Sequence, residues 1–132
     1  MRNSPTVLII EDSITQAKRI AAQMSQHDIN VTCAEDGLQG LRMVDIEPPD
    51  LIVLDINMPR MDGYQVCRRL KRDPNTQHIP VIMLTSNDNS DDALKGLEAG
   101  ADDYIPKDAF ASQHLLSVLE TMGLLGESHV DQ

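Results

Sequence analysis

The chain has 132 residues with 21 acidic and 11 basic side chains, a formal net charge of −10, and three aromatics: Tyr64, Tyr104 and Phe110. This length suits one domain with a sizeable core, while the acidic balance argues against holding nucleic acid, whose phosphates need Lys and Arg. Three aromatics supply too little stacking surface for a single-strand binder. Cys33 and Cys67 lie far apart and outside any CxxC pair, so zinc and redox chemistry lack support and two buried free thiols are expected. The N-terminal residues run straight into an apolar stretch of four, Val7 to Ile10, too short for a signal peptide or membrane span, which predicts a cytoplasmic protein without membrane contact.

Along the chain, Val7-Leu8-Ile9-Ile10 is a continuous apolar run, the signature of a strand buried on both faces. Ser13 and Gln16 make a capping pattern, followed at helical spacing by Ile14, Ala17, Ile20, Ala21 and Met24. Ile29 to Cys33 reads as a second strand. Leu38, Leu41 and Val44 stripe a second helix that Pro48-Pro49 ends. Leu51-Ile52-Val53-Leu54 is the most apolar run and predicts the central strand. A loop with Pro59 and Gly63 leads to a helix carrying Val66 and Leu70, with Arg68, Arg69, Lys71 and Arg72 expected to be exposed.

Pro80 opens a fourth strand, Val81-Ile82-Met83-Leu84. A helix through Ala93, Leu94 and Leu97 stops at Gly100, a natural left-handed cap. Tyr104-Ile105 reads as a short fifth strand, and Leu115, Leu116, Leu119 and Met122 stripe the last helix. Five strand–helix repeats predict a doubly wound, flavodoxin-like α/β fold: a five-stranded parallel sheet in the order 2-1-3-4-5, flanked by five helices. Residues 5–122 form the expected domain and 123–132 a short tail, with no effector domain.

In such sheets ligands bind beyond the carboxyl ends of the strands. Those ends carry Glu11-Asp12, Asp55 and Thr85-Ser86, and Lys107 follows the fifth strand. Converging carboxylates repel unless a cation intervenes. Oxygen-only ligands favour a hard ion, and Mg²⁺ suits a site completed by water and a phosphoryl group. A carboxylate beside it can attack phosphorus, with Lys107, Thr85 and backbone N–H groups to stabilise the transferring oxygens.

The segment Asp55-Ile56-Asn57-Met58-Pro59-Arg60-Met61-Asp62-Gly63 resembles the phosphorylation loop of response-regulator receiver domains. Glu11-Asp12, Thr85-Ser86, Gly100-Ala101-Asp102-Asp103-Tyr104 and Lys107 follow in family order, with 43, 30 and 22 positions separating Asp12, Asp55, Thr85 and Lys107. The likeness covers about residues 5 to 122 and is greatest to stand-alone, chemotaxis-type receivers.

This resemblance implies a phosphorylation-dependent switch in a two-component system or phosphorelay. Asp55 would accept a phosphoryl group from a sensor histidine kinase or histidine phosphotransfer protein. Asp12, Asp55 and the Asn57 carbonyl would bind Mg²⁺, with Glu11 acting through water. Lys107, the Thr85 hydroxyl and the Ser86 N–H would hold the phosphoryl oxygens, and Tyr104 would follow Thr85 in switching. Output would pass to a downstream protein through the fourth helix, fifth strand and fifth helix, roughly Ser90 to Met122, a face that also leaves room for a homodimer. Such a protein is no enzyme beyond its own phosphorylation and dephosphorylation.

Two departures stand out: Glu11 where the family has Asp, and Asp108 where it has Pro after the lysine, which predicts a trans peptide there. Three other readings compete. A haloacid-dehalogenase-type phosphatase needs an acid at the position of Asn57. A flavodoxin-type cofactor binder needs a Gly-rich first loop where this chain has Glu11-Asp12-Ser13. A degenerate, phosphorylation-independent receiver conflicts with the complete Asp12, Asp55, Thr85 and Lys107 set. Gly96, inside the fourth helix, admits two readings, a softer partner-facing helix or close packing.

Overall fold

The computed structural model describes residues 4–85, 90–107 and 110–124, and for 90–93 the backbone alone. Five strands alternate with five helices: β1 (Thr6–Ile10), α1 (Ile14–Met24), β2 (Asn30–Ala34), α2 (Gly37–Ile46), β3 (Leu51–Asp55), α3 (Gly63–Arg72), β4 (Val81–Thr85), α4 (Ser90–Glu98), β5 (Asp103–Pro106) and α5 (Ala111–Thr121). The strands form one parallel sheet in the order β2-β1-β3-β4-β5, as the alternating pattern predicts.

The continuous apolar runs are explained by two cores, one on each face of the sheet. Leu8, Ile10, Ile52, Leu54, Val81 and Met83 point to one face, where Val44 of α2 and Val66, Cys67 and Leu70 of α3 cover them. Their neighbours Val7, Ile9, Leu51, Val53, Ile82 and Leu84 point to the other, under Ala17, Ile20 and Met24 of α1 and Leu115 and Leu119 of α5. A strand with two apolar faces cannot show polar alternation, because successive side chains enter different cores.

Helix starts follow local chemistry. The Gln16 N–H donates to Ser13 Oγ at 3.3 Å, as the capping pattern predicts. A complete capping box occurs instead at α3, where Gln65 N–H donates to Asp62 Oδ1 and Asp62 N–H to Gln65 Oε1, both at 3.0 Å. Gly100 closes α4 with φ +100°, the expected left-handed cap.

Several expectations need correction. Cys33 is exposed rather than buried, because β2 is an edge strand whose outward residues lie beyond the covering helices. Cys67 is buried, and burial pushes its thiol up to about 11. Ile14 and Leu38 belong to helical apolar stripes yet face solvent, as do Leu94 and Leu97 of α4, 56% and 60% exposed.

Lys71 is not a surface cation either. Its ammonium donates to the carbonyls of Gln77 and Ile79 and pairs with Asp102 Oδ2 at 3.0 Å, and the same Oδ2 accepts from Val81 N–H. A carboxylate far along the chain thus turns it inward, to tie α3 to the start of β4 and to the loop before β5. Among the described residues no helix is long and apolar enough to cross a membrane.

Candidate functional site

The carboxyl edge of the sheet is built from the ends of β1, β3, β4 and β5. Asp55 is the last residue of β3, and Glu11 and Asp12 directly follow β1. Because β1 and β3 pair in register, Ile10 against Leu54, their next residues emerge side by side. Glu11 is further fixed by its N–H bond to the Ala34 carbonyl at 3.0 Å. Each of the three side chains offers a carboxylate oxygen within 4.8 Å of the other two. Glu11 and Asp55 are buried, 2% and 1% exposed, whereas Asp12 stands at the solvent edge.

Lys107 follows β5 and enters from the opposite side, its N–H bonded to the Thr85 carbonyl at 2.6 Å. Its Nζ lies 2.9 Å from Glu11 Oε1 and 3.0 Å from Asp55 Oδ1. The Asn57 N–H adds a bond to Asp55 Oδ1 at 3.2 Å, and the Ser13 N–H one to Glu11 Oε2 at 3.1 Å. No hydrogen bond from a described residue reaches Asp55 Oδ2. Thr85, the last residue of β4, is fully buried, and it pairs in register with Pro106, next to the lysine. Tyr104 sits half-buried on β5, two positions before Pro106, and packs against the core. Ser86, Asn87 and Asp108 lie outside the described residues.

The electrostatics follow from this burial. Burial pushes the Glu11 carboxyl up to about 7; the Lys107 ammonium and the Ser13 N–H pull down, and the Asp55 charge pushes up. Burial alone would lower the Lys107 ammonium, but Glu11 and Asp55 outweigh it and hold it above the usual lysine range. Glu11 Oε1 has the ammonium at ion-pair distance yet no well-directed hydrogen bond, so this buried oxygen is compensated by charge alone.

A buried oxygen without a directed donor, within an all-oxygen set of three carboxylates, fits a hard divalent cation. Neither histidine nor cysteine belongs to the cluster, which disfavours zinc.

Position of the loop after Asp55 depends on Gly63, whose importance the sequence pattern alone does not reveal. A Cβ there would stand 2.5 Å from the Asp55 carbonyl oxygen and 2.9 Å from Ile56 Cα. The Gly63 N–H also bonds the Ile56 carbonyl at 3.0 Å, so α3 begins directly against the strand end that carries Asp55. Within this loop Arg60 adopts φ 67°, a left-handed conformation uncommon for a side chain of this size.

Sheet order and strand-end chemistry together define a class: a flavodoxin-like α/β domain whose acidic pocket is closed by a lysine. The response regulator receiver domain family matches residues 7–120. The chain belongs to that family, the receivers of two-component signalling. Response regulator PleD of Caulobacter vibrioides is 40% identical over 104 residues, 79% of this chain and 23% of PleD.

The signal receiver domain of a signal transduction histidine kinase from Syntrophus aciditrophicus has a TM-score of 0.83 at 35% identity, covering 98% of this chain and 96% of that one. The Mn²⁺-bound form of response regulator Rcp1 has a TM-score of 0.75 at 25% identity, covering 94% and 97%. The chain spans 23% to 50% of the length of curated relatives it matches.

Proposed function

We propose that this receiver is a phosphorylation-dependent signalling switch in which Asp55 takes a phosphoryl group from a phosphohistidine of a sensor kinase or phosphotransfer protein. The observation that carries this reading is the position of Asp55: a carboxylate at the carboxyl end of the central strand, beside two further carboxylates and 3.0 Å from an ammonium. An oxygen of Asp55 attacks phosphorus, the O–P bond forms as the P–N bond breaks, and the leaving imidazole takes up a proton.

Asp12, Asp55 and the Asn57 carbonyl are the groups that would hold Mg²⁺, with Glu11 acting through water. That the related Rcp1 has a Mn²⁺-bound form supports a divalent ion as a ligand of this kind of domain. When bound, the ion supplies positive charge against the phosphoryl oxygens. Lys107 neutralises the same oxygens from the other side, and the Thr85 hydroxyl and Ser86 N–H donate to them. The added charge draws Thr85 and Lys107 inward, with Tyr104 following, and biases a pre-existing equilibrium of the region after β4.

Output through α4, β5 and α5 is supported by exposed Leu94 and Leu97, and by a groove of about 490 Å³ bordered by Tyr104, Pro106, His114, Val118 and Met122. In this proposal residues 5–122 form the receiver unit, which acts in the cytoplasm through protein partners or a homodimer on this face.

Incubation with acetyl phosphate and Mg²⁺, followed by intact mass, tests the reading. One phosphoryl adduct, absent in Asp55→Asn, is expected. Lack of an adduct on the wild-type chain sinks it, and turnover of unrelated phosphate esters shifts the assignment to a phosphatase.

A further inference from the structure

Helix α3 carries Arg68, Arg69, Lys71 and Arg72 and no acidic residue, in a chain where acids outnumber bases 21 to 11. Lys71 is engaged with Asp102, as described. The three arginines remain exposed with Gln65, and positions 65, 68, 69 and 72 form one helical stripe opposite buried Val66, Cys67 and Leu70.

Like charges three and four residues apart destabilise a helix, and none of these arginines reaches a carboxylate among the described residues. Cations in the last turn complement the helix dipole, which accounts for Arg69 and Arg72 but not for Arg68. Beside the stripe runs a groove of about 430 Å³ between α2 and α3, bordered by Arg69 and Arg72 and floored by Leu41 and Leu70, with Asp45 and Asp73 sharing its lining.

We propose that the exposed face of α3 and its groove against α2 dock an acidic, partly apolar segment of a partner protein. Carboxylates of that segment meet the arginine stripe, where the planar guanidinium binds carboxylates bidentately. An apolar side chain of the segment enters between the two helices onto Leu41 and Leu70. Charge complementarity selects the occupant: a cationic stripe on an otherwise acidic molecule attracts a short acidic segment, while the net −10 repels a long polyanion. The one aromatic of this helix, Tyr64, is half-buried against the core, which leaves little ring surface beside the stripe on which a base could stack. This surface lies on different helices from α4 and α5, so it is separate from the output face proposed above.

The test uses the full ¹⁵N-labelled chain titrated with a short peptide alternating Glu and Leu, a matched peptide alternating Gln and Leu, and a single-stranded oligothymidylate. Amide shifts at Leu41, Arg68, Arg69 and Arg72 are expected with the acidic peptide alone, fading with added salt. The double variant Arg68→Glu/Arg72→Glu should weaken binding roughly tenfold or more. The charge-matched double variant Lys18→Glu/Arg19→Glu, on exposed positions of α1, should leave it within about twofold. Equal weakening by both variants, shifts confined to other helices, equal binding of the Gln peptide or the oligothymidylate, or no shift with the acidic peptide overturns the proposal. The wild-type shift map does not depend on either variant folding.

Discussion

The Lys107 ammonium lies 2.9 Å from Glu11 Oε1, and it is the one close cation for a carboxylate that is almost wholly buried among the described residues. The same ammonium also serves Asp55 at 3.0 Å, so two buried carboxylates share one positive charge. This sharing leaves a net negative pocket, which burial and mutual repulsion make receptive either to a proton or to a cation.

The proton side of that balance sets a pH dependence. Glu11 keeps its proton in the folded chain up to about pH 7, while an ordinary glutamate releases it near 4.5. Between those values the folded state binds more protons than the unfolded state, so the stability that this group contributes is fully present below about pH 4.5 and is lost as pH rises through 7. Urea unfolding in EDTA should show a loss on the order of 1–3 kcal/mol from this group between about pH 5 and 7.5. Glu11→Gln should flatten that slope, and Mg²⁺ should reverse it, because a cation binds the ionised carboxylates. An unchanged slope in the variant would assign the pH dependence elsewhere.

Removing the shared cation tests the same pocket from the other side. Lys107→Met leaves Glu11 and Asp55 facing each other without compensation, a change that costs about 3–5 kcal/mol when buried charges lose their partner. The loss should be largest near pH 8 and small near pH 5, where Glu11 carries a proton. Mg²⁺ should restore much of the stability in denaturant titrations. A loss of equal size at both pH values would point to packing of the lysine stem instead.

Gly63 links the phosphoacceptor strand to α3 by contact, since its Cα lies where any Cβ would press on the Asp55 carbonyl oxygen. Both near atoms are backbone and cannot rotate away. Gly63→Ala should therefore destabilise the chain by about 1–3 kcal/mol and displace the strand end. Phosphorylation by acetyl phosphate should slow more than in a surface variant of equal stability. Wild-type rates with wild-type stability would show that the loop adapts without moving Asp55.

Much of the fold and site is legible in the chain because one kind of signal repeats. Apolar runs mark β1, β3 and β4, and each ends in a polar residue at the carboxyl edge of the sheet: Glu11, Asp55, Thr85. Parallel pairing then brings those residues together with no further information. The details that escape the sequence depend on what covers an element. Cys33 lies in a run like other strands, but β2 is at the edge and has no neighbour beyond it. Lys71 looks like Arg68 and Arg69 until Asp102, far along the chain, arrives beside it. Leu94 and Leu97 follow helical spacing, yet α4 turns them to solvent.

Gly96 offers the sharpest choice between readings, because the structure separates two roles that the sequence leaves equal. A Cβ at this position would meet Met83 Sδ at 3.5 Å and Cγ at 3.9 Å, ordinary van der Waals distances with the helix backbone left in place. Close packing therefore does not require glycine here. What remains is its conformational cost, about 1 kcal/mol relative to alanine in a helix interior. Gly96→Ala should stabilise the chain by about 0.5–1 kcal/mol, read from the denaturant midpoint at constant m-value. Hydrogen exchange of the amides from Leu94 to Ala99 should slow relative to those of α1, because the gain resides in α4 itself. The phosphorylation-linked shift of this region should also shrink, as a stiffer helix resists displacement. A destabilised Gly96→Ala chain would restore the packing role and remove the case for a soft helix.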